Sequence, residues 1–190
     1  MPQQQEVQVR IEWVPSAPLD VYQLDAGLMA QFPQSLGDSE AGTVVAVGCG
    51  VERLRVGDQV FGFFFHNEKG QQVYIPPGVS MAAAVTLSTN VCTAFLALSD
   101  KLGIDLPWPL PDGFSPKDRD IPLLIWGAGS SVGQFAIQIL NYWGYRNVIA
   151  TASSKHHEKI KGYGAKHVFD YKEENVVGSI IKIRVFAAYR

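Results

Sequence analysis

The segment Pro122–Gly133, PLLIWGAGSSVG, constrains this chain more than any other. Leu123, Leu124, Ile125 and Trp126 form an unbroken apolar run, which predicts a buried parallel strand. The small residues from Gly127 to Ser131 suit a tight turn. From Val132 through Gln134, Phe135, Ala136, Ile137, Gln138, Ile139 and Leu140 the pattern is helical, until Gly144 stops it. Strand, glycine-rich turn and helix, in that order, make the first unit of a dinucleotide-binding fold. The turn lets the backbone approach a pyrophosphate, and the N–H groups at the helix start hold its charge. An ordinary α/β crossover has the same order, so both readings stay open here. Gly127, Gly129 and Gly133 are spaced one residue wider than the GxGxxG fingerprint, which weakens the motif taken alone. Ser130 and Ser131 would donate to a phosphate or simply cap the helix.

The end of the second predicted strand, Asn147–Ala152, says more. An NAD site would place Asp or Glu there to accept from the adenosine ribose hydroxyls. This chain reads Thr151-Ala152-Ser153-Ser154-Lys155-His156 instead. A carboxylate would repel a 2′-phosphate, whereas serine hydroxyls and a lysine ammonium would hold one. A dinucleotide bound here would therefore be NADP(H) rather than NAD(H). Ser154 as a cap for the following helix, with Lys155 in solvent, is the plainer alternative, and the two are compatible.

Around this unit the pattern reads as α/β, with a β-rich part first. Val7, Val9 and Ile11 alternate with Gln8, Arg10 and Glu12 as in a half-exposed strand. Pro15 and Pro18 end it, and Asp20–Met29 is predicted as a short helix. Strands at Thr43–Val47 and Gln59–Phe63, with turns at Gly48–Gly50 and Leu54–Gly57, imply a small, strongly curved β domain. A helix is predicted over Ala82–Leu98. Five prolines between Gly103 and Pro122 mark a loop. Further elements are predicted as a helix over Val132–Trp143, a helix over His156–Gly162 and a short strand at His167–Phe169. Gly178–Arg190 is basic and apolar, with no evident packing partner. The expected divisions are residues 7–100, a proline-rich loop at 101–121, a nucleotide-binding part at 122–177 and an atypical tail at 178–190. Three parallel strands fall short of a complete mononucleotide-binding sheet, which implies a truncated domain or a partner chain, with truncation preferred.

Composition narrows the partners. With 16 basic and 18 acidic residues in 190 and no basic tract, neither nucleic acid nor an anionic membrane is an expected partner. No signal-peptide pattern precedes Val7, and the longest apolar runs look too short to span a membrane. Cys49 and Cys92 lie too far apart for a metal or redox motif and are expected as small core residues in a reducing, cytoplasmic setting. Cys92 has no evident base to make it a nucleophile. His66, His156, His157 and His167 show no zinc-ligand spacing, so no metal site is expected.

Six segments in order carry a more specific resemblance: APLDVY (Ala17–Tyr22), GDSEAGTVVAVG (Gly37–Gly48), VGDQVFGF (Val56–Phe63), TLSTNVCTAFLAL (Thr86–Leu98), PLLIWGAGSSVGQFAIQI (Pro122–Ile139) and YGAKHVFDY (Tyr163–Tyr171). From about Val7 to Val177 the chain resembles the medium-chain dehydrogenase/reductase superfamily, in its zinc-independent branch of quinone oxidoreductases and fungal trans-acting enoyl reductases. The resemblance implies a partial GroES-like domain, then a partial Rossmann domain, with NADPH in the cleft between them. It places Ser130, Ser131, Val132 and Gly133 at the pyrophosphate. It sets Ser153, Ser154, Lys155, His156 and Tyr171 around the 2′-phosphate, and Thr93 near the nicotinamide. Pro18 and Asp20 fall in a loop facing the active site. Zinc-dependent members carry a GHE segment where this chain has Gly37-Asp38-Ser39, and their third zinc cysteine aligns near Thr89. The early zinc-ligand cysteine has no counterpart in Ser16–Asp20, and the cysteine-rich structural lobe is absent too.

The implied activity is hydride transfer from NADPH to a polarised C=C or C=O bond of a small molecule. No general acid stands out. Tyr22 is a candidate proton donor, its plainer role being a packed aromatic. Three departures from the family pattern are expected to matter: no β segment before Val7, a skipped strand between Tyr74 and Ile75, and no continuing sheet after Val177. Ala17 also replaces the asparagine of the NPxD loop. These leave two alternatives: a catalytically inactive nucleotide-binding fragment, and an interaction protein whose open sheet edge recruits another chain.

Overall fold

β1 (Val7–Trp13) keeps the alternation read from the sequence in its first half, with Val7 and Val9 half-buried and Gln8 and Arg10 exposed, but not at Ile11, which is exposed. It pairs antiparallel with β2 (Ser39–Val47), which starts four residues before the predicted Thr43. The early start follows from pairing: Ser39 opposes Phe63 and Thr43 opposes Gln59 on β3 (Gln59–Phe63). β4 (Gln71–Tyr74) was not legible, because a QQVY segment carries little β propensity and only its ladder to β3 makes it a strand. The sheet order is β1-β2-β3-β4. These coordinates are a computed structural model, which describes residues 1–30, 33–64 and 70–188, with side chains through 183.

The chain divides into two units, Met1–Thr89 and Asn90–Arg190. In the first, α1 (Pro18–Ala26) occupies the segment expected as an active-site loop and the start of a short helix. Proline at its first position has the fixed φ that a helix start needs, and the Asp20 carboxylate accepts the Ala17 N–H at 2.7 Å. Pro18 and Asp20 thus serve a helix start. The core of this unit is small: Ala41, Ile75, Ala84 and Val85, with Phe61 and Met81 against them.

The helix expected over Ala82–Leu98 is broken. α2 (Met81–Ala84) and α3 (Ser88–Leu96) flank a turn, and a single π-helical stretch, Ala97–Lys101, follows. Read as one run, Met81–Lys101 has the length and composition to cross a membrane, contrary to the sequence expectation. Its Ala84 and Val85 nevertheless belong to the first core, and its Ala94 and Leu98 to the second.

In the second unit three parallel strands, β5 (Leu123–Ile125), β6 (Val148–Thr151) and β7 (His167–Phe169), lie in the order β5-β6-β7. α4 (Ser131–Tyr142) links the first pair. A 3-10 turn (Ser154–His156) and α5 (His157–Gly162) link the second. Val148 and Ala150 share a core with Ala136, Ile137 and Leu140 of α4 and Ile160 of α5. Ile149 points the other way, to Val176 and Ile180 of α6 (Val176–Ala188). Gly178 therefore lies inside a helix, and Ile180, in the segment read as lacking a partner, packs on the sheet. Trp126 lies outside β5 and is 57% exposed, and Leu124 is 47% exposed. The expectation of a buried strand fails there because Leu124 shares the face of Ile149, which Val176 and Ile180 of α6 cover while leaving Leu124 exposed.

Two outcomes follow from this packing. Ile137 is 0% exposed, so Ile137→Ala should lower unfolding stability in urea by about 2–5 kcal/mol, whereas Leu124→Ala should cost about 1 kcal/mol or less. Burial, then the neighbouring Lys166 ammonium, pushes the His167 imidazole below its ordinary value of 6.5. The unfolded chain then protonates first, so this contribution is complete above the unfolded value and is lost as pH falls through the lower folded one. His167→Gln should flatten the fall in stability measured between about pH 7 and pH 5.

Candidate nucleotide-binding site

The turn after β5 is held by one buried side chain. Thr151, at the end of β6 and 0% exposed, accepts the Gly127 N–H on Oγ1 at 3.0 Å and the Ala128 N–H on its carbonyl at 2.8 Å. Gly127 has φ +82°, a left-handed conformation that glycine adopts without strain. Gly133 answers a different need. A Cβ there would lie 2.7 Å from the Gly127 carbonyl oxygen and 2.8 Å from the Ala128 Cα, so α4 can approach the turn only without one. At Gly129 a Cβ would meet nothing but the His156 ring at 3.6 Å, which leaves the face of the turn open.

Ser130 takes the capping role. Its Oγ donates to the Gly127 carbonyl at 2.9 Å and accepts the Gly133 N–H at 3.1 Å. Its own N–H bonds to Gly127 O, and Gln134 Nε2 donates to Gly129 O. The N–H groups of Gly129, Ser131 and Val132 find no acceptor within the turn. They are donors available to an anion at the start of a three-turn helix.

Beyond β6, Ser153 is extended (φ −63°, ψ 146°) and the 3-10 turn Ser154–His156 begins. The ladder continues past the strand ends, with Ala152 N–H donating to Phe169 O at 3.0 Å. This brings Asp170 beside the turn: its Oδ2 accepts the Ser154 N–H at 3.0 Å and its Oδ1 accepts the Lys172 N–H at 2.9 Å. The Lys172 N–H above all, with the Ser154 N–H and hydroxyl and the His157 charge, holds this carboxyl below its usual range, against the opposing effect of desolvation. Tyr171, between Asp170 and Lys172, is exposed. Asp170 therefore ties Ser154, flanked by Ser153 and Lys155, to Lys172, which follows Tyr171, and the His156 ring lies beside Gly129. His157 Nε2 lies 3.0 Å from the Ala152 carbonyl, to which the ring donates.

Thr93 lies exposed on α3, and Tyr22 exposed on α1. Both cysteines are exposed, against expectation: Cys49 sits in the turn after β2, and Cys92 on the outer side of a helix whose buried member is Ala94. His66 lies outside the described residues. Thr89 Oγ1 donates to Asp38 Oδ1 at 3.2 Å, and these are the positions that the family resemblance aligns with zinc ligands. The nearly buried Ser39 Oγ lies 3.0 Å from Asp38, 2.7 Å from Thr89 and 2.8 Å from Ser88. One carboxylate and three hydroxyls bonded to one another make an oxygen set unlike the nitrogen and sulfur ligands of zinc. A concavity of about 1330 Å³ on the first unit's sheet includes none of the expected cofactor residues. Thr151, Asp170 and Lys172 were not singled out from the sequence. The one available signal was an acidic residue directly after a short predicted strand.

An antiparallel sheet preceding a parallel sheet with a glycine turn defines the two-part class of GroES-like and Rossmann-type α/β proteins. Residues 3–104 match the alcohol dehydrogenase GroES-like domain family. The trans-enoyl reductase tazE of Aspergillus terreus is 33% identical over 93% of this chain and 63% of its own length. An alcohol dehydrogenase superfamily protein from Novosphingobium aromaticivorans superposes with TM-score 0.74 at 30% identity, over 96% of this chain and 56% of the other. A quinone oxidoreductase from Pseudomonas syringae gives TM-score 0.70 at 26% identity, over 96% and 55%. The chain belongs to the medium-chain dehydrogenase/reductase superfamily, in its enoyl reductase and quinone oxidoreductase branch. It spans between about half and two-thirds of the length of the relatives it matches.

Thr151→Val keeps the shape of the buried side chain and removes the acceptor for the Gly127 N–H. It should lower the stability of the chain by about 1–3 kcal/mol in chemical unfolding, more than Thr151→Ser, which keeps the oxygen.

Proposed function

We propose that this chain is the cofactor-binding part of an NADPH-dependent oxidoreductase of the enoyl reductase or quinone reductase type, which acts on an activated C=C or C=O bond of a small molecule. The observation that carries the reading is a glycine turn with unengaged N–H groups beside a strand end that bears hydroxyls and an ammonium. Gly127 and Gly129 let the backbone approach the pyrophosphate. The N–H groups of Ser131 and Val132, with Gly133 packed beneath them, hold its charge. Ser153, Ser154, Lys155, His156 and Tyr171 surround the 2′-phosphate. The Asp170 carboxylate beside them has each oxygen engaged by a backbone N–H and so repels that phosphate less than a free carboxylate would. NADPH, when bound, supplies the hydride. Thr93 is assigned to the nicotinamide end on the family pattern alone.

A second reading, nucleotide binding without turnover, is favoured by β5, whose end carries the turn and which is paired on one side only among the described residues. Two free, exposed thiols support placing the protein in a reducing compartment such as the cytoplasm. Nucleic acid and membrane are not proposed as partners.

Calorimetric titration tests the cofactor reading, with NADPH expected to bind at least about tenfold more tightly than NADH. No binding of either by folded protein would overturn it. Turnover with enoyl thioesters or quinones separates an enzyme from a binding fragment. Gly129→Ala should leave unfolding stability within about 0.5 kcal/mol yet weaken NADPH binding about tenfold or more, because its methyl fills the open face of the turn. Gly133→Ala should instead destabilise the fold by about 1–3 kcal/mol, since the new methyl meets backbone that cannot give way.

A further inference from the structure

The cofactor reading leaves one strong interaction unused. Asp170 directs one carboxylate oxygen to the segment after β6 and the other to the segment after β7. Without it, these two stretches would be joined only by the Ala152–Phe169 hydrogen bond at the strand ends. Each stretch carries groups suited to a phosphate: Ser153 and Lys155 on one, Tyr171 and Lys172 on the other. Among the described residues neither Lys155 nor Lys172 forms an ion pair. The carboxylate binds the Ser154 and Lys172 backbone N–H groups and the Ser154 hydroxyl, so the lysine ammoniums are not spent on it.

We propose that Asp170 is the positioning residue for selecting a 2′-phosphate. It clamps the Ser153–Lys155 and Tyr171–Lys172 segments into one cluster, and Lys172 adds a second ammonium to that of Lys155. The role rests on the cofactor assignment above. Asp170 touches the nucleotide nowhere in this arrangement; it fixes the spacing of the groups that do. A carboxylate is required because it accepts in two directions at once, with charge-assisted bonds to both N–H groups. Asparagine has one acceptor oxygen and an NH2 group that would face one of the two N–H donors.

The test measures NADPH and NADH affinities of the intact chain by calorimetry, with the thermal midpoint recorded for each variant. Asp170→Asn should weaken NADPH binding about tenfold or more and leave NADH binding within about twofold. Ser154→Pro offers an independent break of the clamp. It removes the same N–H at the first position of the 3-10 turn, and Ser153 already has the extended backbone that precedes proline. It should lower NADPH preference further than Ser154→Ala, which loses only the hydroxyl. Lys172→Ala should lower NADPH affinity and spare NADH. A wild-type chain that prefers NADPH, with Asp170→Asn and Ser154→Pro keeping that preference, overturns the positioning role alone. Equal loss of both nucleotides also overturns it, since that marks a merely structural residue. A folded wild-type chain that binds neither nucleotide overturns the cofactor assignment itself and the clamp's role with it.

Discussion

Thr151 is the point through which the second unit is assembled. It ends β6, a strand buried along its whole length, and it takes two N–H groups of the glycine turn, one on its hydroxyl and one on its carbonyl. A turn rich in glycine has many conformations open to it, so its shape must be imposed from outside. Here the imposing group is a fully buried hydroxyl in a place without water to compete, where losing an acceptor is expensive. The start of α4, the direction of its first N–H groups and the closeness of the helix to the turn all follow from that anchorage.

The two units solve the same problem of buried polarity differently. In the second, polar groups near the strand ends are paired with backbone: Thr151 to the turn, Asp170 to Ser154 and Lys172, Tyr145 to the Asp105 carbonyl and Trp143 to that of Pro107. In the first, side chains satisfy one another. Ser39, Ser88, Thr89 and Asp38 form a closed set that joins the start of β2 to the start of α3. That set ties two element ends together through side-chain hydrogen bonds alone, each hydroxyl serving its neighbour.

What could be read in advance followed from period and punctuation. Val7, Val9 and Ile11 gave β1 by alternation, and Leu123–Gly133 gave the turn and its helix by order alone. His167–Phe169 was placed to the residue. Readings failed where partners outweigh local pattern. β4 exists because β3 offers a free edge to QQVY, the run after Met81 breaks because its two halves enter different cores, and α6 gains meaning only once Ile149 is known to face it. Of the candidate site, the glycine turn and the Ser153–His156 segment were legible as segments. Those that hold them, Thr151 and Asp170, were not, since a threonine in a strand and an aspartate after one look like ordinary sequence until the hydrogen bonds are seen.

The side of the sheet chosen by α6 carries a consequence for geography. α4 and α5 lie against Val148 and Ala150, whereas α6 lies against Ile149 on the reverse face. β6 is thereby covered from both faces, and all four of its residues are buried. The anchor that holds the glycine turn thus hangs from a strand shielded front and back, so the Thr151 hydroxyl keeps its hold on the Gly127 N–H in a dry setting that an exposed strand end could not provide.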